Sequence, residues 1–517
     1  MRRAVSGMAV ATLASRVLGF IRAFLLVLLI GGTASSAGGQ VYAVANELPV
    51  NLYNLFAGGV LGAVLVPQVV AAVKAGGRYR RALDQLTTLA IGGGLVLTCL
   101  LMLFAPHLIV IYAASWPADW RELATAMALW CMPQVFLMVV AAVLGQLLNA
   151  QELFTAPAWA PVLSNAAAVA GLGVFFVIFG PQLGGVASWH PAMVMTLCGC
   201  ATVASGTQVI MLWVALRRSD FRLRWRLGTA GLRSPGAMAA WVLGGVIAGQ
   251  LSYVVVSNVC SAAGKALNSQ GIDGASLNTL STAYLIYLVP HAVIAVSMAT
   301  AAFSRVSHLA AEGRLTAVGD VVNDVVTRAY GLILAAATVL IVVSPDLSEL
   351  LWGSDQIGII ASALAIGLVG FSQMYICNRV ALALGDGRSV FVTNAVVAIL
   401  TALGAAAASL FPPSSVVLAV AVATAASNLL GWALAVRLLR RRFRLSGVEL
   451  KLPHTVVRQR WVLLAVAAIG CAAGIVAAIW TSDSGGTLAL VIRPVALSLM
   501  AGAPFVVYAL IARMRLR

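Results

Sequence analysis

The run from Ser6 to Ile30 is long and apolar enough to cross a bilayer, and thirteen further apolar runs follow it. A hydrocarbon core about 30 Å thick needs roughly 20 apolar residues of helix. Within it the backbone must satisfy its own N–H and C=O groups. The runs fall at about 7–31, 41–72, 84–113, 122–148, 156–180, 191–216, 236–262, 275–303, 319–345, 357–384, 389–411, 414–437, 460–480 and 487–512. The fold class this predicts is an all-α polytopic membrane protein of about fourteen transmembrane helices. Composition agrees, with 61% hydrophobic and 9% charged residues against roughly 45–50% and about 25% in soluble domains. The first run is too long for a signal-peptide core and no small-residue cleavage site follows it, so it reads as a retained span.

The formal net charge of +17 is distributed by topology. With the N-terminus inside and connections alternating, the inner segments hold Arg2, Arg3, Lys74, Arg78, Arg80 and Arg81, then the cluster from Arg217 to Arg233. Arg305, Arg314 and Arg388 follow, then Arg437 through Arg460 and the tail from Arg513. The outer loops hold only Arg121 and Lys265 beside acids such as Asp119, Asp273, Asp346, Glu349, Asp355 and Asp483. This is the positive-inside asymmetry. It predicts both termini in the cytoplasm and contact with anionic headgroups, not a nucleic-acid partner. All seven cysteines fall inside spans and read as small packing residues. No metal site is expected from them.

The expected organisation is two pseudo-repeated six-helix lobes plus two extra C-terminal helices. An N-lobe covers 1–216, a cytoplasmic basic linker 217–235, and a C-lobe 236–437. A cytoplasmic basic loop covers 438–459, and spans thirteen and fourteen with the tail cover 460–517. The repeat rests on two echoes. Phe136–Phe154 and Phe371–Phe391 both end a span in a polar turn leading straight into the next helix. Leu48-Pro49 in span two echoes Val289-Pro290 in span eight. Similar halves with kinked helices in matching positions suggest a rocker-type transporter.

Ionisable residues inside spans cost about 2.5–3.5 kcal/mol each at a helix centre, so those retained here are functional candidates. They are Arg16 and Arg22 in span one, Glu47 in span two and Arg379 in span ten, with Arg493 in span fourteen near enough to the surface to snorkel. Arg22 lies on the order of 20 Å along span one and Arg16 about 9 Å before it, pointing about 120° apart on a straight helix. Gly19 between them is a point where the helix can loosen. One reading pairs Arg16 with Glu47 to hold spans one and two together. The other places arginine beside a water-filled cavity that takes an anion, phosphate above all, since the guanidinium fork matches it. Asn46, Asn51 and Asn54 share the helix of Glu47 and can line the same space. No G-x-x-x-x-G-K-[ST] loop occurs, so ATP hydrolysis by this chain is not expected, nor is any catalytic residue or cofactor.

Several ordered motifs carry a family resemblance. They are "SRVLGFIRAFLL" in span one, "LPVNLYNLFAGGVLGAVLVPQVV" (Leu48–Val70), "LLNAQELFTAPAWAPVLSN" (Leu147–Asn165) and "LVPHAVIAVSMATAAFSRVS" in span eight. Together they closely resemble the MurJ (MviN) family, lipid II flippases of the MATE-like MOP exporter superfamily. The resemblance implies that Arg16 and Arg22 line a cavity engaging a lipid-linked diphosphate, in the bacterial inner membrane, for peptidoglycan synthesis and cell shape. It implies alternating access driven by a coupling ion or the membrane potential, and cell-wall synthesis or division proteins as candidate partners. The chain departs from the family in span two, where Tyr53 or Asn54 replaces an arginine and Gly58 an acid. In span eight Ala283–Ile286 reads AYLI in place of Ala-Asp-Arg-Leu; Arg379 is a candidate to compensate. The alternatives are a flippase for another polyprenyl-linked glycan, a MATE-like multidrug exporter and a non-transporting cell-wall scaffold.

Overall fold

The computed structural model describes residues 2–56, 80–219, 224–228, 237–445, 447, 454–481 and 487–514, and every regular element among them is helical. The chain forms two compact units, Met1–Asp273 and Gly274–Arg517. The first holds α1 (Arg2–Ile30), α2 (Ala37–Phe56), α3 (Arg80–Leu103), α4 (Ala105–Tyr112) and α5 (Ala118–Cys131), followed by α6 (Pro133–Ala150), α7 (Thr155–Phe179), α8 (Pro191–Arg217) and α9 (Ala237–Ser269). The second holds α10 (Leu277–Pro290), a π-helical run His291–Val296, α11 (Ser297–Ala311), α12 (Leu315–Trp352) and α13 (Gln356–Ile366). It continues with α14 (Leu368–Ala383), α15 (Gly387–Ala408), α16 (Pro413–Leu445), α17 (His454–Thr481) and α18 (Thr487–Met514).

Among the described residues ten helices are long and apolar enough to cross a membrane, or eleven if α13 and α14, bent by 51°, make one span. The expected count of fourteen is therefore not reached by length and hydropathy. In α17 and α18, two of the expected spans, the apolar stretches among the fully described residues are Trp461–Val476 and Arg493–Tyr508. The span expected at 41–72 passes outside the described residues after Phe56.

The pairing of helices repeats between the units. In the first, α7 packs on α8, α6 on α8, α3 on α6 and α2 on α5. In the second, α15 packs on α16, α14 on α16, α12 on α14 and α10 on α13. The fourth and tenth spans are each interrupted near their middle. Pro133 opens α6 directly after Met132, where proline removes a backbone donor. The other break falls at Gly367. A Cβ there would lie 2.5 Å from Ala425 Cα, so only glycine lets the bend press onto α16, as small residues do where membrane helices approach closely.

Two features differ from the sequence pattern. The seam between compact units follows α9, the seventh span, whereas the repeat groups that span with the second lobe. Helix α9 is fastened within the first unit by polar groups. Asn258 Nδ2 donates to Ile111 O, Ser257 Oγ donates to Tyr112 O at 2.9 Å, and Trp116 Nε1 donates to Ser261 O at 3.2 Å. Gln40 Nε2 reaches Gly264 O at 3.3 Å, and Asn268 Nδ2 reaches Ala34 O at 2.9 Å. The basic linker is also docked where it is described. Arg226 Nε stands 4.0 Å from the buried Asp84 carboxylate, and its backbone N–H donates to Thr88 Oγ1 at 3.0 Å.

Arg493 does not simply snorkel. Its Nε lies 3.3 Å from Asp346 Oδ1, with the two side chains 22% and 12% exposed. Asp346 and Glu349, expected in an outer loop, lie in the last turns of α12, which runs to Gly353 at φ 69°, a left-handed stop that glycine adopts without strain. The ion pair ties α18 to α12, beside the contact of Leu497 and Ala501 with Val342 and Val343. Removing one partner strands the other in a low-dielectric setting. Arg493→Leu alone is expected to lower unfolding stability in detergent by about 1–3 kcal/mol, and Arg493→Leu with Asp346→Leu by less. Equal losses in thermal unfolding would show that the pair does not brace α18.

Candidate functional site

Helix α1 runs unbroken from Arg2 to Ile30, so Gly19 neither ends nor interrupts it. A Cβ at Gly19 would stand 3.6 Å from Asn165 Nδ2; the glycine leaves room for a cross-helix contact. Asn165 Nδ2 donates to Ser15 O at 3.0 Å and lies 3.2 Å from Ser15 Oγ. Here α7, the longest-packed neighbour of α1, grips it one residue from Arg16. A half-buried amide within a spanning helix seeks such a partner because lipid can supply none.

Arg22 is half-buried on α1 and its guanidinium lies within side-chain reach of the hydroxyl of Tyr42 on α2, a tyrosine near Cys131 and Cys198 of the core. Tyr42 is only 3% exposed. The phenol gives the guanidinium a neutral acceptor and leaves its charge uncompensated at that contact. Arg16 is exposed, on the face that also shows Leu13, Val17 and Phe20.

Glu47 is half-buried on α2, within electrostatic reach of Tyr112 and Cys260. Helices α1 and α2 are antiparallel, joined through 31–36. From the Arg22–Tyr42 contact, Arg16 lies about 9 Å and Glu47 about 7.5 Å in the same direction along the axes. The two are thus at nearly one depth. Asn46 Oδ1 and Asn51 Nδ2 are buried without a hydrogen-bond partner, and Asn54 is exposed. A buried amide atom lacking a protein partner calls for water or ligand. Asn46, Glu47 and Asn51 therefore bring polar groups to α2 that the protein itself does not fully satisfy at the two asparagines.

Arg379 belongs to the second unit, on α14. It is exposed, its Nε donates to Tyr375 Oη at 3.0 Å, and its guanidinium lies 5.2 Å from the Tyr375 ring. The same helix carries Asn378, whose Nδ2 donates to Asn394 Oδ1 at 3.1 Å, and Ser372, whose hydroxyl lies 3.0 Å from Nδ1 of the buried His291. The structure thus gathers Arg16, Arg22, Asn46, Glu47, Asn51 and Asn54 on two adjacent helices of the first unit and sets Arg379 in the other. Tyr42 was missed from sequence. Its signal was Gln40 and Tyr42 alternating with small residues at the start of span two. Among the described residues no group of three or more histidine, cysteine or acidic side chains is arranged to hold a metal.

The family described as "Lipid II flippase MurJ" matches residues 32–495. A probable lipid II flippase MurJ of Rhizobium meliloti (strain 1021) is 26% identical over 392 residues, covering 70% of this chain and 66% of that protein, just under two thirds of its length. One from Rickettsia prowazekii (strain Madrid E) is 22% identical over 400 residues, covering 73% and 72%. A solved lipid II flippase MurJ in an inward closed conformation superposes with TM-score 0.73 at 17% identity, covering 99% of both chains. An inward-facing MATE multidrug transporter of the MOP superfamily superposes with TM-score 0.60 at 15% identity, covering 84% of this chain and 95% of that one. At these identities the structural likenesses speak for the fold.

Asn165→Ala is expected to cost about 1 kcal/mol, the scale of a hydrogen bond between membrane helices, read as a lower unfolding midpoint in detergent. An unchanged midpoint would remove the α1–α7 clasp from the account.

Proposed function

The chain belongs to the lipid II flippase MurJ family, and on that premise we propose that it flips lipid II, the undecaprenyl diphosphate-linked peptidoglycan precursor, from the cytoplasmic to the outer face of the inner membrane. The observation that carries the reading is the Arg16–Arg22 pair on α1, with Arg22 set on a tyrosine hydroxyl. A guanidinium held by a neutral acceptor keeps its charge for an anion, and its fork matches a phosphate oxygen pair.

The diphosphate docks on Arg16 and Arg22, the polar face of α2 from Asn46 to Asn54 solvates the headgroup, and the polyprenyl tail stays in lipid. Both termini face the cytoplasm, as the arginine asymmetry requires. Outward movement of negative charge across an inside-negative membrane releases about 2.3 kcal/mol per charge per 100 mV, so a diphosphate needs no nucleotide hydrolysis to move. Alternating exposure of the arginine face to the two sides completes the cycle. Arg379, engaged with Tyr375 on α14, is a further exposed cationic group, within the second unit. A multidrug exporter of the same fold would want carboxylates and an aromatic box for organic cations, and arginine outweighs acid on α1 and α2.

Depleting the protein is expected to leave lipid-linked precursor on the cytoplasmic face, and Arg16→Ala or Arg22→Ala is expected to fail to restore its translocation at normal protein levels. Normal translocation of lipid II after depletion would end this reading, while full rescue by both variants would point to a scaffold.

A further inference from the structure

The repeated helix pairing leaves a hollow at the corresponding end of each unit. In the first unit it lies between the α6–α7 turn and the end of α8, holds about 550 Å³, and is lined by Gln151, Glu152, Thr155, Arg218 and Ser219. In the second it lies between the α14–α15 turn and the end of α16, holds about 600 Å³, and is lined by Asp386, Arg388, Ser389, Arg441 and Arg442. The places are equivalent in the repeat and lie on the side that the arginine asymmetry assigns to the cytoplasm. Their charge differs. One acid meets one arginine in the first, and one acid meets three arginines in the second. Asp386, moreover, is already spent on the first turn of α15, accepting from Ser389 N at 3.0 Å and Ser389 Oγ at 2.7 Å.

The cationic hollow continues along α16. A neighbouring depression of about 760 Å³ is lined by Leu434, Arg437, Leu438, Arg441, Arg444 and Leu445. Spacings of three and four put these on one helix face, so leucines run beside arginines toward the spanning part of α16. Leu445 is 74% exposed. Orientation by the positive-inside rule requires only that basic residues lie in the inner loops. It does not require three arginines to converge on one hollow beside an apolar stripe, nor the equivalent hollow to be left neutral.

We propose that this hollow is a binding site for the phosphodiester headgroup of an anionic phospholipid of the inner leaflet, of the phosphatidylglycerol type. Arg388, Arg441 and Arg442 grip the phosphate, with the helix N-terminus of α15 behind them, and Leu434 and Leu438, on the membrane side of Arg441, receive the upper acyl chains. Guanidinium forks bind phosphate oxygens in pairs, and basic pockets at the cytoplasmic ends of membrane helices suit such headgroups. The site is independent of the flippase reading and stands or falls without it.

The test uses the full chain in nanodiscs of zwitterionic lipid containing graded phosphatidylglycerol, with bound phosphatidylglycerol counted by native mass spectrometry. Arg388→Gln/Arg441→Gln/Arg442→Gln is expected to weaken retention about tenfold or more. Arg217→Gln/Arg305→Gln/Arg314→Gln, which removes equal charge from the same side, is expected to stay within about twofold of the native protein. Arg441→Gln alone, which touches both depressions, is expected to weaken retention about threefold and serves where the triple variant does not fold. Free glycerol 3-phosphate is expected not to displace the lipid. Equal losses in the two triple variants, no change in Arg441→Gln, or displacement by the free phosphate at matching concentration would each overturn the assignment.

Discussion

A guanidinium placed far from either end of a spanning helix dominates the energetics of the first unit. At about 2.5–3.5 kcal/mol it cancels what one or two packed leucines return, and lipid offers it no partner. Arg22 meets this cost through Tyr42, itself buried against the cysteines of α5 and α8. Much of the local architecture reads as support for that arrangement. Asn165 fixes α1 on α7 beside Arg16, Gly19 makes space for the asparagine, and α2 carries its asparagines and Glu47 down the neighbouring face. The partner of Arg22 is a phenol and not a carboxylate, and that choice matters. A carboxylate would neutralise the arginine, whereas a hydroxyl orients it and leaves its charge available to an anion.

The second unit handles its charges differently. Arg493 is paired with Asp346, which fastens the C-terminal helix to α12. Arg379 leans on the ring and hydroxyl of Tyr375 on its own helix, one turn earlier, and remains exposed. An arginine with a carboxylate partner is structural; arginines held by phenols keep their charge in play. This contrast separates Arg493 from Arg22 and Arg379 more sharply than their depth in the sequence does.

Hydropathy and arginine asymmetry made the helical class and most span limits legible, because the bilayer imposes them on each segment separately. Contacts between segments were much less so. The side chain that receives Arg22 could not be named from spacing, since the α1–α2 contact is tertiary. The sequence pattern places Asp346 in a loop because a single carboxylate near the end of an apolar run looks the same in a loop or in a last helical turn. Its arginine partner lies far along the chain. The repeat predicted matching pairs of helices and the pairs match, yet it could not foresee that α9 packs within the first unit, since that depends on Asn258, Asn268 and Trp116 finding particular carbonyls. Asn165 was visible only through its motif, and the structure supplies its physical task.

The account rests on the α1 arginine face being wet and open to a phosphorylated lipid. A thiol reacts as its thiolate and so needs water, which makes cysteine labelling a direct reporter. In a background without other cysteines, single cysteines replacing Thr12 and Phe20, one turn either side of Arg16, would be challenged with a membrane-impermeant thiol reagent, with and without an undecaprenyl diphosphate-linked lipid. The account predicts labelling at both positions and protection by that lipid. Failure of both cysteines to react in the folded protein would contradict it.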